Sequence, residues 1–230
     1  MLIALDFDGT LAFSKFMWTN TTIYLFEKAG IDLSFYREKI AYEFKNKAFP
    51  WHFPEMYHKF TNSIQWWNDL ILTLSKKVSS VSGIELSIVF KILKDFPEIY
   101  LSKDNWVLYD DTIAFLETFK KHAKLVLVSN HVPEFERILE FLNIKMFFNK
   151  IYNSTFVGYC KPNPIIFNRI KSDWNESEYI MIGDNYEADF LGSSKCGFYP
   201  YLVRNNDVSL SCNHKDLNVI SSYLKLKLNI

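Results

Sequence analysis

Short apolar runs alternate with amphipathic stretches over most of this chain, and that alternation restricts the fold more than any other feature of its 230 residues. Residues 125–128 and 179–182 are apolar throughout, as buried strands are, whereas residues 134–142 carry apolar side chains at helical spacing. Strands that alternate with helices pair in parallel, because the crossover helix returns the chain to the starting edge of the sheet. The pattern therefore predicts an α/β fold with a doubly wound parallel sheet. We expect further strands at residues 2–5, 150–153 and 199–203, and further helices at residues 112–121, 164–170, 186–194 and 217–226.

The first apolar run ends in two acidic residues, Asp6 and Asp8, which are followed by Gly9. Ligands of open α/β sheets bind beyond the carboxyl ends of strands, so we expect both acids to face a crevice. Neighbouring carboxylates repel each other and attract a cation, and Mg²⁺ prefers oxygen ligands. An Asp carboxylate can also act as a nucleophile that accepts a phosphoryl group. Taken alone, the segment is more typical of a strand that ends in an Asp-Gly turn.

Three later segments also place polar side chains after predicted strands or before a proline. Ser129 and Asn130 follow a strand and can donate hydrogen bonds to an anionic oxygen. Lys161 precedes a proline, which keeps it out of a helix and fixes its direction. Asp184 ends another strand, and Asp189 lies about one helical turn further, where it either points back towards Asp184 or polarises the start of a helix. Two acidic strand ends from remote parts of the chain would form a site for a hard cation.

Residues 13–103 have a different sequence pattern, with many aromatic and charged side chains at helical spacing and no clear buried strand. A parallel crossover needs only about a dozen residues, so this segment is too long to be a connection alone. We expect a helical cap domain at residues 13–103, inserted into a core of residues 1–12 and 104–230. Trp66 and Trp67 are expected to pack inside it. The helices are predicted at residues 21–29, 33–47, 55–78 and 84–96.

Composition excludes several classes of partner. The chain has 26 basic and 26 acidic side chains, so it carries no electrostatic signature for nucleic acid or an acidic membrane surface. It has no apolar run of transmembrane length, and no basic residue precedes Asp6 to suggest a secretory signal. Its three cysteines show no metal-binding spacing, and their odd, sparse number favours reduced thiols and a cytoplasmic location. Nothing in the sequence indicates the oligomeric state.

Taken in order, the four segments resemble the motifs of the haloacid dehalogenase (HAD) superfamily of hydrolases. They are DFDGTL at residues 6–11, the Ser-Asn pair at 129–130, KPNP at 161–164 and GDNYEAD at 183–189. The resemblance covers essentially the whole chain, and residues 13–103 are similar to the helical C1 cap of subfamily I. It implies a Rossmann-like core and the activity of a phosphoric monoester hydrolase.

The resemblance also implies roles for individual acids. Asp6 would be the nucleophile that attacks phosphorus, and Asp8 would protonate the leaving oxygen and then activate water. Asp6, the main-chain carbonyl of Asp8, and Asp184 would hold Mg²⁺. Members that remove halide lack an acid at the position of Asp8, since a halide needs no proton. Asp8 therefore favours phosphoester chemistry.

The other motif residues would handle the phosphate group. Ser129 and Asn130 would contact its oxygens, catalytic Lys161 would bridge it to Asp6, and Asp189 would support Lys161 or the metal's waters. His131 follows the second motif and either borders the crevice or is structural, which is the commoner role of a lone histidine.

The implied function is Mg²⁺-dependent hydrolysis of a small phosphorylated metabolite through an aspartyl-phosphate. A phosphomutase has similar motifs, and a non-catalytic binding protein could keep the same fold. These two alternatives remain open at the level of sequence. Neither the physiological substrate nor the purpose of residues 51–53 can be inferred from the chain.

Overall fold

A six-stranded parallel sheet forms the centre of the computed structural model, which describes residues 1–207, 210 and 212–230. The strands in chain order are β1 (Leu2–Leu5), β2 (Ala12–Ser14), β3 (Trp106–Leu108), β4 (Lys124–Ser129), β5 (Lys150–Asn153), β6 (Tyr179–Gly183), β7 (Tyr199–Val203) and β8 (Asn213–His214). The sheet order is β5-β4-β1-β6-β7-β8, while β2 and β3 form a separate two-stranded sheet. The predicted α/β class with a parallel sheet is therefore confirmed.

The register of the central strands determines where the polar motifs lie. Leu5 at the end of β1 pairs with Leu127 of β4 and with Ile182 of β6, all in parallel. The chain segments that follow these three strands therefore leave the sheet at the same edge. β1 is buried along its whole length, as expected for the central strand of a sheet covered on both faces.

Helices flank the strands of the sheet. The α-helices in chain order are α1 (Trp18–Lys28), α2 (Arg37–Lys45), α3 (Ser63–Ser82), α4 (Leu86–Leu93), α5 (Phe96–Tyr100), α6 (Thr112–Phe119), α7 (Phe135–Phe141), α8 (Ser154–Val157), α9 (Pro164–Asp173), α10 (Gly192–Ser194) and α11 (Leu217–Leu228). The helices that flank the sheet are α6 to α11. Short 3₁₀ turns lie at Ser34–Tyr36, Pro50–His52, Lys103–Asn105 and Lys145–Phe147. The buried side of α9 packs against β1, β4 and β6 through Ile166, Phe167 and Ile170.

The described chain divides into two compact units. The first contains residues 1–13, 54–58 and 106–230, and the second contains residues 14–53 and 59–105. In the second unit, Trp18 stacks on Tyr100 with ring centroids 4.5 Å apart, and Trp67 packs near the same tyrosine at 6.0 Å. Trp67 is buried as expected, whereas the neighbouring Trp66 is only half-buried.

Two helix predictions in the insertion are wrong in detail. The helix expected at 55–78 begins only at Ser63, because the Asn62 side chain caps it by accepting from the Gln65 amide at 2.9 Å. The helix expected at 84–96 is two helices, and Pro97 stands in the first turn of the second, where its missing N–H is no disadvantage.

Residues 54–58 belong with the sheet although they lie within the insertion in sequence. The main-chain amide of His58 donates to the Gly158 oxygen at 2.8 Å, and Asn163 donates from Nδ2 to the Pro54 oxygen at 2.8 Å. The Tyr57 ring lies 5.5 Å from that of Tyr159. This segment is therefore fastened to the loop that carries Lys161, a contact that the periodicity of the sequence does not reveal.

All three cysteines are free thiols, as their odd and small number predicts. None of the helices in the described ranges combines the length and apolar character that crossing a bilayer requires.

Candidate active site

Asp6 and Asp184 approach each other where β1 and β6 end side by side. The Asp6 amide donates to the Ile182 oxygen at 2.9 Å, which continues the ladder by one residue beyond β1. Gly9 then turns the chain at a φ of 75°, and a Cβ at that position would lie 2.2 Å from Asp184 Oδ2. Only glycine therefore allows the loop after β1 to approach the Asp184 carboxylate this closely.

Three carboxylates form the centre of the site. One oxygen from each of Asp6, Asp184 and Asp189 lies within 4.8 Å of the others. Asp189 lies in a π-helical turn at Tyr186–Leu191, where an α-helix was expected at 186–194. Its carboxylate folds back and accepts from the Asn185 amide at 3.0 Å. The sequence left two roles open for Asp189, and the structure places it against Asp184 and Asp6.

Lys161 enters the carboxylate cluster and is almost completely buried, with 2% of its surface exposed. Its Nζ atom lies 2.7 Å from Asp6 Oδ1 and 2.6 Å from Asp189 Oδ1. Burial alone would lower the pKa of Lys161, but the carboxylates of Asp189 and Asp6 outweigh burial and raise it. The side chain is therefore a fixed cation between two acids.

Asn130 holds the main chain of Lys161 in place. Its Oδ1 accepts from the Lys161 amide at 2.7 Å, and its Nδ2 donates to the Lys161 oxygen at 3.0 Å. Both ends of the Asn130 amide are therefore engaged with the protein. Ser129 ends β4 at the same edge of the sheet, and it is buried.

The Asp8 carboxyl group is not part of the acidic cluster identified above, although the Asp8 main chain belongs to the same loop. Its Oδ2 lies 4.0 Å from His131 Nε2, and 33% of the Asp8 side chain is exposed. Partial desolvation and the charge of Asp6 raise the pKa of Asp8 above its ordinary value. Both effects favour the protonated form of Asp8.

The electrostatics of the cluster fit a divalent cation. Burial and the charge of Asp6 raise the pKa of Asp184 to about 8, and burial raises the pKa of Asp189 to about 6 although Lys161 opposes the shift. One ammonium group cannot balance three adjacent carboxylates. An all-oxygen donor set of this kind suits Mg²⁺, and Asp6 and Asp184 are the residues predicted to hold it.

Several contacts that support the site could not be predicted from the sequence. Asn205 donates from Nδ2 to the main-chain oxygen of Asp184 at 2.5 Å. Arg204 contacts both carboxylate oxygens of Asp111 at 2.5 Å and donates to the Thr10 oxygen at 3.0 Å. Each contact joins residues far apart in the chain, so no local pattern reveals it. Asn185, which caps the π-helical turn, could have been found from its position before a helix start.

Comparison with known proteins places these motifs in a family. The profile of the haloacid dehalogenase-like hydrolases matches residues 1–197. The chain belongs to that family. Haloacid dehalogenase-like hydrolase domain-containing protein 3 of Bos taurus is 28% identical over 169 residues, which are 72% of this chain and 64% of the relative.

Two further proteins match this chain at lower sequence identity. Glyceraldehyde 3-phosphate phosphatase of Methanothermobacter thermautotrophicus is 24% identical over 136 residues, which are 57% of this chain and 54% of that protein. The chain thus spans less than two thirds of the length of these curated relatives. The crystal structure of the HAD-hydrolase YfnB from Bacillus subtilis bound to magnesium has a TM-score of 0.68 at 20% identity, covering 100% of this chain and 98% of that one. This likeness shows the shared fold.

Proposed function

We propose that this HAD-like hydrolase is a Mg²⁺-dependent phosphatase that hydrolyses a small phosphomonoester through an aspartyl-phosphate on Asp6. The observation that carries the proposal is the placement of Lys161 Nζ, 2.7 Å from Asp6 and 2.6 Å from Asp189, within the three-carboxylate cluster. A buried nucleophile beside a fixed cation suits the transfer of an anionic group, because phosphoryl transfer depends on positioning and charge neutralisation.

In the first step, a carboxylate oxygen of Asp6 bonds to phosphorus while the bond from phosphorus to the leaving oxygen breaks. Asp8 donates its proton to that oxygen, as a positioned general acid does. In the second step, Asp8 removes a proton from water, which attacks phosphorus and releases phosphate and the Asp6 carboxylate. Lys161 stabilises the negative charge on the phosphoryl group in both steps.

Asp6, Asp184 and the main-chain oxygen of Asp8 would hold Mg²⁺, and when bound it would neutralise charge on the phosphate and the acids. The acidic cluster supports this assignment, and YfnB, which shares the fold, is described as bound to magnesium. Ser129 and the main chain of Asn130 remain candidates for contacts to the phosphate oxygens.

A small phosphorylated metabolite is the proposed substrate class. The archaeal relative named above is a phosphatase of glyceraldehyde 3-phosphate, which supports the reaction type for this chain. A phosphomutase would return the phosphoryl group to the substrate, so release of inorganic phosphate distinguishes the two activities.

Asp6→Asn tests the proposal. We expect the wild-type protein to release inorganic phosphate from a panel of phosphorylated metabolites with Mg²⁺ and to stop when EDTA is added. Asp6→Asn should reduce the rate to background while its circular dichroism spectrum stays unchanged, because the amide is a poor nucleophile. Turnover retained by this variant would contradict the proposal, and conversion of substrate to an isomer without phosphate release would indicate the mutase.

A further inference from the structure

His131 is the buried neighbour of Asp8, and the proposed mechanism gives it no role. Its Nε2 atom lies 4.0 Å from Asp8 Oδ2, which is beyond hydrogen-bond length. The His131 side chain is fully buried, whereas a third of the Asp8 side chain is exposed. His131 therefore lies on the inner side of a carboxyl group whose outer side is open.

Aromatic side chains hold the imidazole ring on several sides. The ring stacks on Phe135 with centroids 4.1 Å apart and planes 22° from parallel. Phe7 meets it edge-on at 5.6 Å, and Trp106 lies at 5.5 Å. Because Phe7 separates Asp6 from Asp8 in the chain, the nucleophile segment itself supplies one wall of this enclosure. Close packing on this scale leaves the ring little freedom to rotate.

The main chain at His131 is also fixed. The His131 amide donates to Ser154 Oγ at 3.3 Å, and its oxygen accepts from Thr155 Oγ1 at 2.6 Å. The next oxygen, of Val132, accepts from Asn153 Nδ2 at 2.8 Å. The end of β5 and the start of α8 therefore set the position from which the ring projects towards Asp8.

We propose that His131 is a positioning residue that holds the Asp8 carboxyl group in the orientation from which it protonates the leaving oxygen. This inference rests on the proposed phosphatase function. The fixed ring places Nε2 4.0 Å from Oδ2, which gives the Asp8 carboxyl group a polar neighbour on its buried side. Contacts between catalytic groups are often long in unliganded enzymes and shorten when substrate binds, which is what 4.0 Å allows here.

A purely structural histidine would do no more than fill the aromatic enclosure, and phenylalanine could do the same. The dependence of rate on the leaving group separates the two roles. The leaving oxygen of phenyl phosphate needs a proton when the bond to phosphorus breaks, because phenol has a pKa of about 10. The leaving group of 2,4-dinitrophenyl phosphate departs without a proton. The ratio of kcat/KM for phenyl phosphate to that for 2,4-dinitrophenyl phosphate therefore measures the contribution of Asp8 as an acid.

We expect His131→Phe to lower this ratio about tenfold, which is part of the roughly 10²- to 10⁴-fold that general acid catalysis contributes. Asp8→Asn should lower the ratio further, and adding His131→Phe to it should change nothing more, because the two residues act as one unit. His131→Gln keeps a polar group near the Nε2 position, so its ratio should fall less than that of His131→Phe.

A ratio that stays within twofold of wild type in folded His131→Phe would overturn the inference, as would equal losses in the Phe and Gln variants. If His131→Phe does not fold by circular dichroism, the Gln variant and its double variant with Asp8→Asn decide the question by the same ratio. Failure of the wild-type protein to hydrolyse either ester would contradict the proposed function itself, whereas turnover with an unchanged ratio would contradict only the role of His131.

Discussion

At the scale of single residues, the buried ion pairs of Lys161 dominate the candidate site. Removing one partner of a buried ion pair leaves the other charge without compensation, which costs about 3–5 kcal/mol. Lys161 contacts two acids, so its loss would leave both Asp6 and Asp189 buried without their cation. Exposed ion pairs behave differently, because water screens them.

We therefore expect Lys161→Met to lower the free energy of unfolding by about 3 kcal/mol in urea denaturation of the metal-free protein at pH 8. It should also lower kcat/KM for phosphate esters by at least about 100-fold, since the phosphoryl group loses its fixed cation. Lys150→Met is the matched control, because Lys150 pairs with Asp173 at 2.7 Å but is 44% exposed. Its effect should stay below about 1 kcal/mol. Equal losses in the two variants would show that Lys161 is not held as described.

At the scale of elements, the attachment of residues 54–58 to the loop before Lys161 is the feature with the clearest test. Gly158 has a φ of 84°, and a Cβ there would lie 2.4 Å from the Tyr57 ring. Gly197 has a similar φ of 79°, but its added Cβ would meet only Lys171 Nζ at 3.4 Å. Comparing alanine variants of these two glycines therefore distinguishes the cost of backbone strain from the cost of displacing Tyr57.

Both Gly158→Ala and Gly197→Ala should be destabilised by about 1–2 kcal/mol from the left-handed backbone. Gly158→Ala should lose about 1 kcal/mol more, because the methyl group displaces Tyr57. Combining it with Tyr57→Ala should remove that excess in urea denaturation. If the two glycine variants are equally stable, Tyr57 does not pack on Gly158 in solution.

The helices and strands also show which parts of the fold the local sequence pattern predicts. The buried strands and most helices of the core were predictable, because apolar period and length specify them directly. The start of α3 and the π-helical turn were not. Asn62 interrupts an otherwise continuous helical pattern, and the spacing at residues 186–194 does not distinguish a π-helical turn from an α-helix.

The same limit applies to the candidate site. The motif acids and Lys161 could be placed at one sheet edge, because strand ends in a parallel sheet converge there. The hydrogen bonds between Asn130 and the main chain of Lys161, and that from Asn205 to Asp184, could not. These hydrogen bonds form between residues that are distant in sequence. Asparagine is common in loops, so its presence alone does not predict such a bond.

At the scale of the whole molecule, the acidic cluster couples folding to pH and to metal. The folded state raises the pKa of Asp184 to about 8, whereas an unfolded aspartate has a pKa of about 3.9. Between these values the folded protein holds a proton that the unfolded chain has lost. The stability from this group is complete below pH about 4 and is lost as pH rises through about 8.

We expect the metal-free protein to become less stable in urea as pH rises from about 4 to 8. Asp184→Asn should make this dependence shallower, although Asp8 and Asp189 keep raised pKa values. It should gain about 1 kcal/mol at pH 8, the equivalent of roughly one pKa unit after allowance for relaxation. Mg²⁺ should restore the stability of the wild-type protein at pH 8 by binding the folded state, and should not stabilise Asp184→Asn. A Mg²⁺ response that is equal in both proteins would place the metal elsewhere.

The most direct test of the central claim is to trap the phosphoryl group on the enzyme. The protein would be incubated with Mg²⁺ and acetyl phosphate, quenched in acid and reduced with borohydride, which converts an aspartyl-phosphate to homoserine. Mass spectrometry of the N-terminal peptide should then locate homoserine at the position of Asp6, and Asp8→Asn should accumulate more of it because water is no longer activated. Phosphate release without modification at Asp6, or modification at another aspartate, would contradict the account.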